Sequence, residues 1–202
     1  MIKLLLLLVT LSSCSYINYG ELPGLIKTSF IGVDLEIDTD FYNSQEYSFL
    51  KINLGKAVVA VLVLAQVDGD RYTWISESNE RIITQHGRVI ATYGLARDAS
   101  ILDAFVLEPI HHEKKSNVLR QLESPKALVQ QSFSVEKIGL DASFKYLNKS
   151  MPSTLYIEII HTDLLKWEFE NKYWVSASGQ VLKSEQFIHP DLPLIKLEFY
   201  LK

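Results

Sequence analysis

Beyond its first 30 residues, the chain consists of short segments whose apolar and polar positions follow the pattern of β-strands. In residues 47–53, positions 48, 50 and 52 face one way and positions 47, 49, 51 and 53 the other, and this period of two predicts a strand. Residues 57–67 form a nearly continuous apolar run rich in valine, which predicts a strand buried on both faces. Asp68, Gly69 and Asp70 then supply a turn into residues 71–76, so a β-hairpin is expected here.

A second hairpin is predicted at His86 and Gly87, between strands at 81–85 and 88–92. Residues 98–126 are less regular, contain two prolines and allow a short helix at 116–122. Later strands are expected at 129–135, 143–147, 155–162, 166–176, 180–186 and 194–201. The predicted fold is therefore mainly β, with antiparallel sheets forming a half-barrel or a sandwich and few short helices.

Two regions of the chain share the order of an apolar strand, a strand with Trp-aliphatic-Ser, a glycine turn and another strand. Trp74 precedes Gly87 by 13 residues, whereas Trp174 precedes Gly179 by 5. The pattern indicates either an internal duplication or the chance convergence of two hairpins. Each tryptophan is either a packing residue whose indole N–H finds a local acceptor, or a platform on which a sugar ring stacks.

The N-terminus carries the signature of a bacterial lipoprotein precursor. Lys3 provides a positive charge, residues 4–9 are apolar, and Leu11-Ser12-Ser13-Cys14 matches the lipobox order of aliphatic, small, small and cysteine. Residues 1–13 are therefore predicted to be a signal peptide that is removed, leaving Cys14 as an acylated first residue that carries palmitate-type chains. The apolar stretch is shorter than the roughly 20 residues that a membrane-spanning helix needs.

The mature chain divides into a lipidated tether with a short docking segment, residues 14–30, and a β-rich periplasmic domain, residues 31–202. Gly20, Pro23 and Gly24 oppose a long helix in the tether. Ser15, rather than Asp, follows the cysteine, so the predicted location is the outer membrane, facing the periplasm and anchored through the lipid on Cys14. With one cysteine in 202 residues, the chain has no internal disulfide and no thiolate zinc cluster.

Charge and motifs narrow the function classes further. A net charge of −4 argues against nucleic acid as a partner, because phosphate binding needs clustered lysine and arginine. The sequence contains no Gly-rich phosphate loop, no Gly-x-Ser-x-Gly and no His-Glu-x-x-His. His111, His112 and Glu113 are adjacent and so diverge in direction, which disfavours a shared metal ion, and the other histidines are scattered. We therefore expect no enzyme, no cofactor and no metal.

Several ordered motifs resemble the YjbF/GfcB family of bacterial lipoproteins, which is associated with group 4 capsule and related exopolysaccharide production. The motifs are 71–76 (RYTWIS), 84–89 (TQHGRV), 94–95 (GL), 173–175 (YWV) with 179–181 (GQV), and the tail at 184–193 (SEQFIHPDLP). The sequence departs from the family pattern at 176–178, and residues 98–126 match poorly. The resemblance implies a β-rich periplasmic domain with a role in polysaccharide export, and it names no reaction.

The leading hypothesis is thus an outer-membrane-anchored accessory factor for capsule or exopolysaccharide secretion, which binds a glycan or a capsule export protein. The polar or aromatic residues that the motifs single out for binding are Arg71, Trp74, Arg88, Trp174 and Gln180. One alternative is a lipid or lipoprotein carrier with an open half-barrel. Another is a polysaccharide-modifying enzyme using acidic residues such as Asp163, Glu168, Glu170 or Asp191, although their spacing selects no pair.

Overall fold

The computed structural model describes residues 35–55, 58–141, 144–163 and 165–202. The predicted signal peptide, Cys14 and the tether lie outside the described residues. The described residues form one α-helix, two short 3-10 helices at Ala104–Val106 and Ile110–His112, and fourteen strands. They are α1 (Thr39–Ser44), β1 (Phe49–Leu54), β2 (Val58–Asp68), β3 (Arg71–Ile75), β4 (Arg81–Gln85), β5 (Arg88–Tyr93), β6 (Ala99–Ile101), β7 (Lys115–Leu122), β8 (Ala127–Asp141), β9 (Lys145–Tyr146), β10 (Lys149–Ser150), β11 (Ser153–Thr162), β12 (Trp167–Val175), β13 (Val181–Gln186) and β14 (Ile195–Tyr200).

Twelve of these strands form a closed antiparallel barrel in the order β1-β14-β13-β12-β11-β8-β7-β6-β5-β4-β3-β2, while β9 and β10 form a separate two-stranded sheet. The mainly β, antiparallel fold is confirmed, but the half-barrel or sandwich is wrong. The barrel closes because β1 pairs with β14 along its whole length, from Phe49 opposite Tyr200 to Leu54 opposite Ile195. This pairing removes the exposed edges that a half-barrel would leave on its first and last strands.

Two local predictions also need correction. Residues 116–122 belong to strand β7 and not to a helix; Val118, Arg120 and Leu122 are buried and alternate with less buried residues. Val118 and Leu122 are four residues apart, a spacing that fits a helix equally well, so the apolar pattern does not distinguish the two structures. Strand β2 is buried around Val61 and Leu62, but it is exposed from residue 65 onward. It therefore lacks the burial on both faces that its apolar run predicts.

The barrel is flattened where β5 and β13, which lie opposite each other in the strand order, meet in the interior. The Gln186 side chain bridges them: its Oε1 accepts from the Val89 N–H at 2.9 Å, and its Nε2 donates to the Gly87 carbonyl at 2.8 Å. The Gln186 amide thus makes the same kinds of hydrogen bond to the backbone of β5 that a paired strand would make. It separates one apolar cluster around Trp74 and Leu197 from another around Phe133 and Ile160.

Helix α1 and the β9–β10 hairpin cover the outer face of β1 and β14. Phe49 stacks on Tyr200 with ring centroids 4.7 Å apart, and Tyr146 stacks on the same tyrosine at 5.2 Å. Phe41 of α1 meets Phe49 edge-on at 5.7 Å. This aromatic layer, together with Ile37, buries β1 on its outer as well as its inner side.

The two Trp-aliphatic-Ser segments matched by sequence also share a turn in the structure. In one turn the Ser76 N–H donates to the Glu80 carbonyl and the Ser76 Oγ accepts from the Glu80 N–H. Ser176 and Gln180 repeat both bonds. In both hairpins the second strand follows the first in the same direction around the barrel, but the first strands, β3 and β12, run in opposite directions. Trp74 therefore faces the interior, whereas the equivalent Trp174 lies on the outer face of the barrel. Gly179 lies in the turn between β12 and β13, whereas Gly87 lies in the later turn between β4 and β5, so these two glycines are not equivalent.

Candidate functional site

Three of the five predicted binding residues lie on the outside of the barrel. Arg71 is exposed and its Nε donates to Gln85 Oε1 at 3.2 Å. Trp174 is half-buried on the outer face of β12, where its indole N–H donates to Asp141 Oδ2 at 2.9 Å and the Lys183 ammonium lies 4.5 Å from its ring centroid. Gln180 is half-buried in the turn before β13. These residues do not converge on one pocket.

Trp74 and Arg88 lie inside the barrel instead. Trp74 has no exposed surface, and its indole N–H donates to Thr84 Oγ1 at 2.9 Å, so its ring has no free face for a sugar. Arg88 is also buried, within a network of polar side chains. Their burial argues against the binding role predicted for both and assigns them to the framework of the barrel.

The buried polar network is centred on Glu158 of β11. Arg88 donates through Nε to Glu158 Oε1 at 2.6 Å and through Nη1 to the Glu108 carbonyl at 2.6 Å. The second oxygen of Glu158 accepts from the Tyr173 hydroxyl at 2.8 Å and from Asn171 Nδ2 at 3.4 Å. Burial raises the pKa of Tyr173 well above its usual value, and the adjacent carboxylate adds to that effect. Tyr173 therefore stays a hydrogen-bond donor.

A second buried arginine, Arg120 of β7, lies toward the other end of the barrel. It donates through Nε to Gln131 Oε1 at 2.6 Å and through Nη1 to the Ile188 carbonyl at 3.2 Å. Gln131 in turn donates to Thr162 Oγ1 at 3.1 Å. Burial lowers the pKa of Arg120 to about 10, so this side chain remains charged at neutral pH.

Charged side chains also cluster at the end of the barrel that carries the turn at Gly87. His86 approaches Asp70 at 3.8 Å, and Glu108 approaches His112 at 3.2 Å and Lys114 at 2.9 Å. Burial lowers the pKa of His86, whereas hydrogen bonds from Lys114 and His112 lower the pKa of Glu108. In the family-like motif at 84–89, His86 therefore lies on this polar surface, whereas Arg88 belongs to the interior network around Glu158.

The remaining candidate chemistry lies apart from this cluster. His161, near the end of β11, is exposed, and its two ring nitrogens lie 2.7 Å from Asp163 and 3.3 Å from Glu168. The described residues contain no group of three or more His, Cys, Asp or Glu side chains placed to hold one metal ion. No helix among those residues has the length and apolar character that crossing a bilayer requires.

An apolar pocket of about 170 Å³ opens at the end of the barrel opposite Gly87. It is lined mainly by aliphatic side chains, among them Ile52, Leu62, Ile82 and Leu95. Ligand pockets usually measure about 300–1,000 Å³, and this lining is part of the packed apolar cluster around Trp74 and Leu197. The structure therefore gives the lipid-carrier alternative no support.

Comparison with known proteins identifies the family. Residues 33–200 match the family model described as "Group 4 capsule polysaccharide lipoprotein gfcB, YjbF". The chain belongs to this family. A YjbF relative from Escherichia coli (strain K12), described as an uncharacterized lipoprotein, is 24% identical over 201 residues, which is 93% of this chain and 91% of the relative.

The fold is shared with a solved structure. The crystal structure of the hypothetical lipoprotein YmcC from Escherichia coli (K12) superposes with a TM-score of 0.72 at 17% identity, covering 84% of this chain and 91% of that one. At this identity the likeness establishes the fold alone. Neither of these two Escherichia coli proteins carries a name that states an enzymatic activity.

The YjbF family tail at 184–193 closes the barrel end opposite Gly87, and His189 is fully buried there. One ring nitrogen of His189 lies 3.2 Å from the Glu123 carbonyl, and the other accepts from the Asp191 N–H at 3.0 Å. Both bonds need a neutral ring with its proton on Nε2. Burial accordingly lowers the pKa of His189 below its ordinary 6.5.

We expect the stability of the protein to fall as the pH drops below about 6.5. Between the lowered pKa and 6.5 the unfolded chain takes up a proton at His189 that the folded chain does not, so acid favours unfolding. Urea titrations between pH 5 and 8 should show a smaller pH dependence in His189→Gln, with a remainder from His86. An unaltered dependence in His189→Gln would contradict this assignment.

The sequence motifs did not reveal Glu158 and Asn171 as members of one buried network, or Arg120 and Gln131 as members of the other. Glu158 and Asn171 lie directly opposite each other on paired strands, and Arg120 and Gln131 also lie on paired strands, β7 and β8. Arg88 of β5, in contrast, reaches Glu158 from a strand that is not its neighbour in the sheet. Tyr173 lies within a quoted family motif, but nothing in the motif links it to Glu158. The sequence signal for a buried polar residue is a polar position between apolar neighbours on a predicted strand. Many surface positions show the same pattern, so it does not single out these residues.

Proposed function

We propose that this protein is an outer-membrane lipoprotein that acts from the periplasm as an accessory factor in capsule or exopolysaccharide secretion. The match of residues 33–200 to a capsule polysaccharide lipoprotein family carries the proposal. The protein binds a glycan or another component of the export machinery and catalyses no reaction. Since polar and apolar side chains fill the barrel, this binding takes place on the outer surface.

Acylation at Cys14 confines the domain to the membrane surface. A lipid anchor with two or more chains holds a protein stably on a bilayer, and a tether raises the effective concentration of the domain for partners in the same membrane. A binding surface of modest affinity is then sufficient for the accessory role.

The proposed role is tested by deleting the gene in a strain that forms a capsule and staining the surface polysaccharide. We expect the deletion to lower surface polysaccharide and the wild-type gene on a plasmid to restore it. Normal staining in the deletion strain, with the protein verified as absent, would count against the role.

Replacing the anchor residue should separate location from folding. We expect Cys14→Ser to leave the domain folded, because Cys14 precedes the barrel, but to shift it from the membrane to the soluble periplasmic fraction. Fractionation and mass measurement of the mature N-terminus check this, and Ser15→Ala serves as the control that keeps its lipid. Membrane retention of Cys14→Ser would refute lipid anchoring at this residue.

A further inference from the structure

A groove on the outer wall opens where strands β12 and β13 part. The two strands pair only from Lys172 opposite Glu185 to Val175 opposite Val181. After Gln186 the chain turns inward and buries Ile188 and His189. Residues 167–171 of β12 therefore have no paired strand on the side that faces β13. The resulting space, here called the β12 groove, has a volume of about 380 Å³.

The β12 groove combines aromatic and charged side chains. It is lined by Phe169, Glu170, Lys172, Glu185, Phe187 and Leu194. The rings of Phe169 and Phe187 lie 5.7 Å apart at 70°. Trp167, which is not part of the lining, packs on Phe169 at 4.2 Å. The volume falls within the range of ligand sites, which combine an apolar lining with a few polar groups.

Those polar groups are held at the side of the groove. Glu185 is fixed by Lys183 at 3.1 Å and Lys196 at 3.8 Å, and 17% of its side chain is exposed. Glu170 projects from the opposite strand and is exposed. Carboxylates accept strong hydrogen bonds from hydroxyl groups, whereas aromatic faces pack against apolar surface.

We propose that the β12 groove is a binding site for an oligosaccharide segment. A sugar ring carries C–H groups on its face and hydroxyls on its edge, so Phe187 contacts the face while Glu170 and Lys172 bind the hydroxyls. Charges of both signs in and beside the lining, Glu170 and Glu185 with Lys172, Lys183 and Lys196, disfavour an acyl chain. This inference rests on the proposed function and specifies that the ligand is a glycan.

Trp174 lies outside the groove. At Lys172 and Trp174 strand β12 is paired with β13, and the Trp174 ring already stacks on Phe144 at 6.2 Å and lies 4.5 Å from the Lys183 ammonium.

The experiment titrates the mature chain, carrying Cys14→Ser so that no detergent is needed, with oligosaccharides released from the producing strain's surface polysaccharide by mild acid and separated by size. Calorimetry measures affinity. We expect Phe187→Ala and Glu170→Gln each to weaken binding about tenfold. Phe105→Ala, which removes an exposed phenylalanine that is not part of the groove lining, should leave binding unchanged. Thermal unfolding of each variant verifies folding, and Glu170→Gln keeps the test valid if Phe187→Ala is unstable.

Wild-type affinity in both groove variants would overturn the site while leaving glycan binding elsewhere on the protein. Absence of binding by the wild-type chain would overturn this inference as well, but the accessory role would stand if the gene deletion still lowered surface polysaccharide. Loss of binding in the groove variants alone would establish the site.

Discussion

Glu158→Gln is expected to lower the free energy of unfolding by about 3–5 kcal/mol, the usual effect of breaking a buried ion pair. Glu158 is 1% exposed and accepts from Arg88 at 2.6 Å. Glutamine fills the same space but leaves the guanidinium charge buried without a carboxylate within reach. Urea unfolding of the Cys14→Ser chain, followed by circular dichroism, measures the change.

Two variants isolate the cause of this loss. Glu108→Gln removes an exposed carboxylate that pairs with Lys114 and His112, and its unfolding midpoint should stay close to that of the parent because exposed ion pairs contribute little. Arg88→Met combined with Glu158→Leu removes both charges and should recover part of the stability. Parental stability in Glu158→Gln would mean that Arg88 does not depend on this carboxylate.

The strand pattern of β11 explains why Glu158 could not be identified from the sequence. Leu155, Ile157 and Ile159 alternate as a buried face should, which places Glu158 on the solvent side. In the structure this apolar face is half-buried on the outer wall, and Tyr156, Glu158 and Ile160 point inward. Both faces of the strand are apolar enough to be buried, so periodicity gives the strand but not its orientation.

Local features were more predictable than the closure of the barrel. The hairpins at Gly69 and Gly87 follow from turn residues between alternating segments, and the strands after residue 127 lie near their predicted positions. Closure depends on β1 meeting β14, about 150 residues later in the chain, and no local pattern reports such a pairing. For the same reason, sequence could not distinguish the buried Arg88 from the exposed Arg71.

The second large effect is expected at Gly87, where β5 approaches β13. Gly87 has φ = +81°, and a Cβ added there would lie 2.6 Å from Val181 Cγ2 and 2.7 Å from Val181 Cβ. The left-handed backbone costs an L-residue about 1–2 kcal/mol, and overpacking adds about 1–3 kcal/mol. Gly87→Ala should therefore lower the free energy of unfolding by roughly 2–5 kcal/mol in total.

Gly69→Ala provides the matched control for this prediction. Gly69 also has a positive φ, +56°, but nothing lies within 4 Å of an added Cβ, so only the backbone cost of about 1–2 kcal/mol remains. The difference between the two variants measures how tightly β5 is held against β13 by the Gln186 bridge. Since Val181 Cβ is fixed to the backbone, relief of the clash requires the two strands to separate, which would also stretch the bonds from Gln186 to Gly87 and Val89. Equal destabilisation of the two variants would show that the strands separate without cost, contradicting a tightly packed barrel interior.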